Sequence, residues 1–269
     1  MKEKEIIDHT TMPITVKRMV LDIHKLGVQE GDCIIVHSSL SKLGWVCGGP
    51  QAVVQALLEA VGVEGTLIMP AQSGDWSDPA EWEHPPVPQD WIEIIYREMP
   101  AYDPYKTPTR GMGRIAEVFR TFPQTVRSQH PQVSFCANGK QASSIVSNHE
   151  LTPQFGMASP LGKLYNLNAK VHLLGVEYDS CTSFHLAEAR IERMPEKRMG
   201  AAIFEDGERV WKWFTDCRYD SDDFAAIGES FEEHYSVQKG SVGSAECRLF
   251  DMREAVDFAE QWLPKNRLF

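Results

Sequence analysis

The chain has 269 residues, of which 42% are hydrophobic and 24% charged, as is usual for a globular protein. Its net charge of −11 disfavours a nucleic-acid partner, which would need clustered basic residues. No apolar run approaches the roughly 20 residues of a membrane span, and no apolar stretch follows the charged residues 1–5 to mark the chain for export. The six cysteines form no C-x-x-C pair, so neither a zinc ribbon nor a disulfide scaffold is expected, and a reducing cytoplasm fits best.

The first part of the chain predicts a βαβ unit. Residues 15–27 have the apolar spacing of a helix and end at a glycine. Residues 33–36 indicate a buried strand, residues 51–61 a helix that begins at Pro50, and residues 66–69 a second strand. Because a helix connects the two strands, we expect them to be parallel, with the connecting loop at the carboxyl end of the first strand.

That loop, residues 37–49, is rich in serine and glycine and leads into a helix. Amide groups at a helix start attract anions, although the loop matches neither the Walker nor the dinucleotide pattern. Residues 107–114 repeat the arrangement, now with Arg110 and Arg114. Two such sites favour an extended phosphate-bearing ligand. The alternative is that the glycines only let the helices pack.

Residues 71–106 are irregular and rich in acids and aromatics, which is typical of a binding loop. We expect this segment to be a substrate lid, with a short helix at residues 90–98. Asp75 and Trp76 are candidate ligand contacts, although the aromatic side chains could equally cover the core.

The second part of the chain alternates short helices and strands. The predicted elements are a strand near residues 127–136, helices from residues 143 and 160, a buried strand at 171–176, a hairpin at 201–204 and 209–214, and helices at 224–227 and 251–262. No linker or repeat divides the chain. The sequence therefore predicts one α/β domain over residues 1–269: a three-layer-like mixed sheet flanked by helices, with a small hairpin and loop subregion.

Residues 180–188 join the 171–176 strand to a helix. His185 would lie in the first turn of that helix, with Glu188 one turn further on the same face. A histidine at such a junction, among acids and hydroxyls, is a candidate general base. The alternative is a histidine bonded to its own helix. A metal site at this pair is not expected, because two ligands are too few and H-E-x-x-H is absent.

Five motifs occur together in order. They are His-Ser-Ser-Leu-x3-Gly-x3-Gly-Gly at 37–49, Thr-Pro-Thr-x-Gly-Met-Gly at 107–113, Arg-x2-His-Pro-x2-Ser at 127–134, Ser-Pro-Leu-x-Lys-Leu at 159–164 and Leu-Leu-Gly-Val-x-Tyr-Asp-Ser-x-Thr-Ser-x-His-x2-Glu at 173–188. In order and spacing, the chain resembles the aminoglycoside 3-N-acetyltransferase family, whose fold is distinct from the common small acetyltransferase fold. The resemblance covers roughly residues 15–262.

The resemblance implies acetyl coenzyme A as the co-substrate, and no metal is expected. It implies that the loop and the second helix start hold the phosphates and the pantetheine arm. The residues assigned to coenzyme binding are His37, Ser38, Ser39, Leu40, Gly44, Val46, Gly48, Thr107, Thr109, Gly111, Met112 and Gly113.

The resemblance also implies that His185 is the catalytic base and that the Thr182 hydroxyl lies near the thioester oxygen. A carboxylate orients this histidine in the family. Asp216 is the best match, but Glu177, Asp179 or Glu188 could take the role. The chemistry agrees, since a protonated amine cannot attack a thioester until a base removes a proton.

The implied acceptor is a polycationic aminoglycoside, acetylated at its 3-amino group. The acidic side chains would bind it, and the negative charge of the chain suits such a ligand. The candidate acceptor contacts are Asp75, Trp76, Asp103, Glu177 and Asp179.

Three alternatives remain open at the level of sequence. The acceptor could be another small amine, Cys181 could be acetylated first in a double displacement, or the protein could bind coenzyme A without catalysis. We expect direct transfer in a ternary complex, in the cytoplasm. The aromatic side chains leave room for a homodimer.

Overall fold

A computed structural model describes residues 3–267. The strands in this range are β1 (Cys33–Ser38), β2 (Thr66–Pro70), β3 (Val126–Arg127), β4 (Phe135–Gly139), β5 (Lys170–Leu174), β6 (Glu196–Glu205), β7 (Glu208–Cys217), β8 (Gln238–Val242) and β9 (Ala245–Asp251). The α-helices are α1 (Glu3–Asp8), α2 (Val16–Leu26), α3 (Gly49–Val61), α4 (Ile92–Glu98), α5 (Gly113–Arg120), α6 (Ala142–Val146), α7 (Pro160–Asn166), α8 (Phe184–Ala189), α9 (Phe224–Glu232) and α10 (Met252–Asn266).

Seven strands form one mixed sheet in the order β3-β4-β2-β1-β5-β9-β8. The central strand β1 runs parallel to β2 and β5, whereas β4 and β9 pair antiparallel with their inner neighbours. The predicted βαβ unit is therefore confirmed. Strands β6 and β7 form the separate hairpin sheet that the sequence predicted.

Helices cover both faces of the main sheet, and successive side chains of a central strand point into opposite cores. Ile34 and Val36 of β1 join the apolar core formed with α2, α3 and α5. Ile35, between them, joins the opposite core, formed with α6 to α10. The three-layer arrangement with a mixed sheet agrees with the predicted fold class.

Local capping explains the helix boundaries that the sequence placed correctly. The Thr15 side chain accepts a hydrogen bond from the Arg18 amide, and Gly27 ends α2 with a left-handed φ of 116°. At α7, the Ser159 side chain caps the helix and Pro160 is its first residue. The hairpin of β8 and β9 was not predicted.

The segment of residues 71–106 packs on the β6–β7 hairpin. The Tyr96 ring lies 4.7 Å from that of Trp211 and 5.4 Å from that of Trp213, measured between ring centroids. Arg209 of β7 donates to the carbonyl of Met99 at 2.9 Å. Residues 96–99 of this segment are therefore held against the hairpin, and the function of the segment as a lid stays a prediction.

The helices of residues 3–267 include none that combines the length and apolar character needed to cross a membrane.

Candidate active site

A cavity of about 270 Å³ lies at the carboxyl ends of the parallel strands β1 and β2, beside the start of α8. This edge of a parallel sheet is where open α/β proteins bind ligands. We call it the histidine cavity. It is lined by Val36, His37, Ser38, Pro70, Gln72, Gly111, Met112, Ala116, Val176, Asp179, Ser180, Thr182, His185, Ser221 and Phe224.

His185 is held in one orientation in the first turn of α8. Its Nδ1 lies 2.5 Å from Oε2 of Glu188, one turn further along the same helix. The imidazole is stacked on the Phe155 ring, with 4.6 Å between centroids and 11° between planes, and Phe224 lies 4.8 Å away. Nδ1 faces the carboxylate, so Nε2 is the ring nitrogen that is not engaged with Glu188.

Glu188 is fully buried and its carboxylate is satisfied on both oxygens. While Oε2 faces His185, Oε1 accepts hydrogen bonds from the Asp220 amide at 3.0 Å and from the Arg267 guanidinium. A buried carboxylate needs such partners to stay ionised. The arrangement is that of a histidine oriented by a carboxylate.

The preference for Asp216 as the partner of His185 is corrected by this geometry. The Asp216 carboxylate accepts from the amides of Gln154 and Cys217, each at 2.8 Å, and burial raises its pKa. Asp216 thus holds the loop that carries Phe155, and Glu188 is the carboxylate on the imidazole. Local helix geometry explains this, since residues three apart face each other.

His37, at the end of β1, is a second histidine of the cavity. It is only 7% exposed, and its Nε2 is buried without a hydrogen-bond partner in the described structure. Burial, and then the neighbouring charge of His185, lowers the pKa of His37 to about 3. His37 is therefore a neutral imidazole at physiological pH.

Cys181 precedes α8 but lies in the core. It is fully buried and belongs to the apolar core between the main sheet and helices α6 to α10. Burial raises the pKa of its thiol to about 12, so that it stays protonated. A buried, protonated thiol is a poor nucleophile.

A second depression, of about 770 Å³, adjoins the histidine cavity. We call it the glycine-loop cleft. Ser38 lines both spaces. The cleft is lined by Glu3, Ile6, Ser38, Ser39, Leu40, Ser41, Gly44, Trp45, Val46, Gly48, Gly49, Pro50, Gly113, Arg114 and Ile115.

The cleft brings together the first turns of α3 and α5, the two glycine-flanked helix starts of the sequence. Gly49 and Gly113 have φ angles of 57° and 79°, which favour glycine. A side chain built at either position would meet no protein atom within 4 Å, so open space faces the backbone there. Two helix starts beside an open cleft can receive an anionic group.

The residues assigned to coenzyme binding divide into three groups. Those that line the cleft are Ser38, Ser39, Leu40, Gly44, Val46, Gly48 and Gly113. His37, Gly111 and Met112 line the histidine cavity instead. Thr107 and Thr109 line neither space. The Thr107 hydroxyl accepts from the Asp103 amide, and the Thr109 hydroxyl donates to Glu117, so both serve the loop itself.

Of the five predicted acceptor contacts, Asp179 lines the histidine cavity. The other three acids form ion pairs elsewhere, and the Trp76 indole donates to the Pro100 carbonyl. Their partners are Arg110 for Asp75 at 2.9 Å, Lys106 for Asp103 at 2.9 Å, and Arg248 for Glu177 at 2.6 Å.

Sequence reasoning missed several residues of the site. Phe155 and Phe224 come from separate segments, and no local pattern predicts that they flank His185. Ser221, which belongs to none of the five motifs, also lines the cavity. Arg267 lies at the end of the described chain, where only the fold brings it to Glu188.

Across residues 3–267, no cluster of three or more His, Cys, Asp or Glu side chains could hold a metal ion.

Comparison with known proteins defines the family. Residues 35–264 match the family model described as aminoglycoside 3-N-acetyltransferase. The chain is 48% identical to the SPbeta prophage-derived aminoglycoside N(3')-acetyltransferase-like protein YokD of Bacillus subtilis, over 98% of this chain and 97% of that one. The crystal structure of YokD superposes with a TM-score of 0.96, covering 98% of each chain.

Two further relatives are informative. Aminoglycoside N(3)-acetyltransferase VIII of Streptomyces fradiae is 36% identical, over 98% of this chain and 96% of the relative. The structure of AAC-IIIb as a binary complex with CoASH has a TM-score of 0.83 at 29% identity, covering 94% of this chain and 98% of the other. The chain belongs to the aminoglycoside 3-N-acetyltransferase family, as its motifs indicated.

Proposed function

We propose that this protein transfers the acetyl group of acetyl coenzyme A to the 3-amino group of an aminoglycoside, by direct attack within a ternary complex. The observation that carries the proposal is the His185–Glu188 pair in a cavity that meets the glycine-loop cleft at Ser38. A base and its orienting carboxylate thus stand where two substrates would meet. The free thiols of the chain support a cytoplasmic site of action.

The glycine-loop cleft is the proposed coenzyme site. The AAC-IIIb relative binds CoASH, and the helix starts of α3 and α5 here offer backbone amides to phosphate groups. Exposed Arg114 adds positive charge on the same side. A pantetheine arm that passes Ser38 would bring the thioester to the histidine cavity.

His185 is the proposed general base. Glu188 keeps a proton on Nδ1 of the imidazole, so the lone pair of Nε2 accepts a proton from the acceptor ammonium. The freed amine nitrogen attacks the thioester carbon, the carbon–sulfur bond then breaks, and the nitrogen loses its second proton to solvent. His185 returns the first proton to the departing thiolate, so the protein ends the cycle unchanged.

Thr182 is proposed to stabilise the oxyanion. Its side chain lines the same cavity as His185, and a hydroxyl is a donor to the oxygen on which charge develops. His37, neutral because of its low pKa, leaves His185 as the proton acceptor of the cavity.

Direct transfer is preferred to double displacement through Cys181. The Cys181 thiol is buried and protonated, and it does not line the histidine cavity. Direct transfer predicts intersecting lines in two-substrate initial-rate plots, whereas an acetylated enzyme would give parallel lines.

A second candidate acceptor is a small amine with fewer positive charges. Three of the acids expected to bind a polycation are paired with basic residues, which leaves Asp179 as the predicted acid lining the cavity. The name of the Streptomyces relative favours the aminoglycoside, whereas the modest negative charge of the cavity favours the simpler amine.

The test is thiol release from acetyl coenzyme A with a panel of aminoglycosides and simple amines. We expect turnover with at least one aminoglycoside and its loss in His185→Ala, with coenzyme affinity retained. His234→Ala is the matched control, because His234 is exposed on the carboxyl side of α9 and contacts the Ser230 carbonyl.

Three outcomes would contradict parts of the proposal. If no amine causes thiol release, the protein is not an acetyltransferase and a coenzyme-binding function is favoured. If only simple amines cause release, the acceptor is not an aminoglycoside. If His185→Ala keeps full turnover, His185 is not the general base.

A further inference from the structure

We propose that Arg267, which follows the last helix, is a positioning residue that keeps Glu188 ionised and thereby keeps the His185 proton on Nδ1. This inference rests on the proposed function of His185 as the base. It assigns a role in the reaction to the end of the chain, far from every motif of the sequence.

The contacts of Arg267 are directed at the catalytic pair and its supports. Its Nη1 donates to Oε1 of Glu188, the oxygen that does not face His185. Its Nε donates to Asp223 at 2.7 Å, and its Nη2 to the Asp220 carbonyl at 2.8 Å. Only 13% of the Arg267 side chain is exposed. The guanidinium is thus fixed against Glu188.

A carboxylate as buried as that of Glu188 would favour its neutral form without a nearby positive charge. The Asp220 amide supplies a dipole to Oε1, and Arg267 supplies a full charge that does not titrate in the physiological range. Of the two donors to Oε1, Arg267 is therefore the one that sets the ionisation of Glu188.

The ionisation of Glu188 decides which tautomer His185 adopts. An ionised Glu188 accepts the Nδ1 proton and leaves Nε2 with a lone pair. A protonated Glu188 would donate to Nδ1, and the ring proton would then lie on Nε2. That tautomer cannot accept a proton from the acceptor ammonium. Arg267 thus acts on the reaction through two other side chains.

The titratable and charged groups near the pair are His37 from β1, Asp179 in the cavity lining, Tyr219, whose ring lies 5.5 Å from that of His185, Asp220 and Asp223 from the segment before α9, and Arg267 after α10. Arg190, which follows α8, pairs instead with Asp257 and Glu260 of α10, at 3.1 and 2.7 Å. His37 is neutral, so Arg267 is the cation in contact with Glu188.

The experiment compares Arg267→Met, Arg267→Lys and Arg253→Met in the full chain. Arg253 is the matched control, because it lies in α10, the helix that Arg267 follows, but donates to the carbonyls of Tyr165 and Asn166. For each variant, kcat/KM of thiol release is measured from pH 5.5 to 9, together with coenzyme affinity and Tm.

We expect a pH-dependent loss in Arg267→Met. Removing the positive charge beside Glu188 favours the protonated carboxyl and the wrong His185 tautomer, so the acid limb of the profile moves to higher pH. Activity then falls about tenfold on the acid side and approaches the wild-type value at high pH. Arg267→Lys should restore most of the loss, and Arg253→Met should match the wild type.

Two outcomes overturn the inference. One is an Arg267→Met profile that superposes on the wild-type profile. The other is a loss that is uniform with pH and accompanied by a lower Tm, which would mean a purely structural role. Failure of the base assignment itself is recognised separately, because His185→Ala would then stay active.

Discussion

Replacing Glu188 by glutamine should remove most of the activity, because the structure dictates how the new amide would orient. Oε1 of Glu188 accepts from two donors, the Asp220 amide and Arg267. The amide oxygen of glutamine would take that place, since an NH2 group facing two donors would lose both hydrogen bonds. The NH2 group would then point at Nδ1 of His185, where Oε2 now lies at 2.5 Å.

An NH2 donor at Nδ1 enforces the tautomer with the proton on Nε2, which cannot serve as the base. The corresponding carboxylate-to-amide change in a serine protease triad lowers kcat about 10⁴-fold through the wrong tautomer. We therefore expect Glu188→Gln to lower kcat by about 10³ to 10⁴-fold, or about 4 to 5 kcal/mol of transition-state stabilisation. Coenzyme affinity should not change, because Glu188 does not line the glycine-loop cleft.

The assay is steady-state thiol release with saturating acetyl coenzyme A, and Asp216→Asn is the comparison. Asp216 acts on His185 only indirectly, by holding the Gln154 amide in the loop that carries Phe155. Asp216→Asn should therefore lower kcat by about tenfold or less. The reasoning is refuted if Glu188→Gln keeps a tenth or more of the wild-type kcat while Asp216→Asn loses a thousandfold.

Two further predictions concern buried side chains. Cys181→Ala should keep kcat within about threefold of wild type, since the Cys181 thiol is protonated and outside the cavity. A thousandfold drop in kcat, or the loss of a pre-steady-state burst of thiol release, would instead indicate an acetylated Cys181. The His172 ring is fully buried with both nitrogens unpartnered in the described structure, so His172→Leu should raise the unfolding free energy at pH 7 by about 1 kcal/mol. Burial lowers the pKa of His172 from 6.5 to about 4, so the unfolded chain binds the proton first and wild-type stability falls as pH drops from 6.5 to 4. Urea titrations at pH 7 and 5 should show the advantage of His172→Leu growing by about 2 kcal/mol, and an unchanged difference would contradict the lowered pKa.

Features set by local sequence were predictable. Thr15 and Gly27 bound a helix through contacts within a few residues, and Pro160 fixes a helix start in the same way. The parallel pairing of β1 with β2 follows from the helix between them. The hairpin of β8 and β9 was missed because β8, with four exposed residues, lacks the apolar alternation that identifies a half-buried strand.

The candidate site was predictable only in part, because only its contacts between residues close in sequence follow from local geometry. His185 and Glu188 lie three residues apart in one helix, so their contact follows from helix geometry alone, yet Asp216 was preferred on the resemblance. Arg267 lies 79 residues from Glu188, and no periodicity specifies a contact at that separation. The stacking of Phe155 on His185 likewise depends on the packed fold.

Ser38 is the residue that lines both the histidine cavity and the glycine-loop cleft, and the other lining residues of the two spaces are separate sets. Selection can therefore act on one set without disturbing the other. With the histidine cavity as the proposed acceptor site, substitutions at Gln72, Val176 or Ser221 should change which amine is accepted while the proposed coenzyme site keeps its lining. Point mutation could thus alter the acceptor of this chain, with Ser38 as the position that the two proposed sites share.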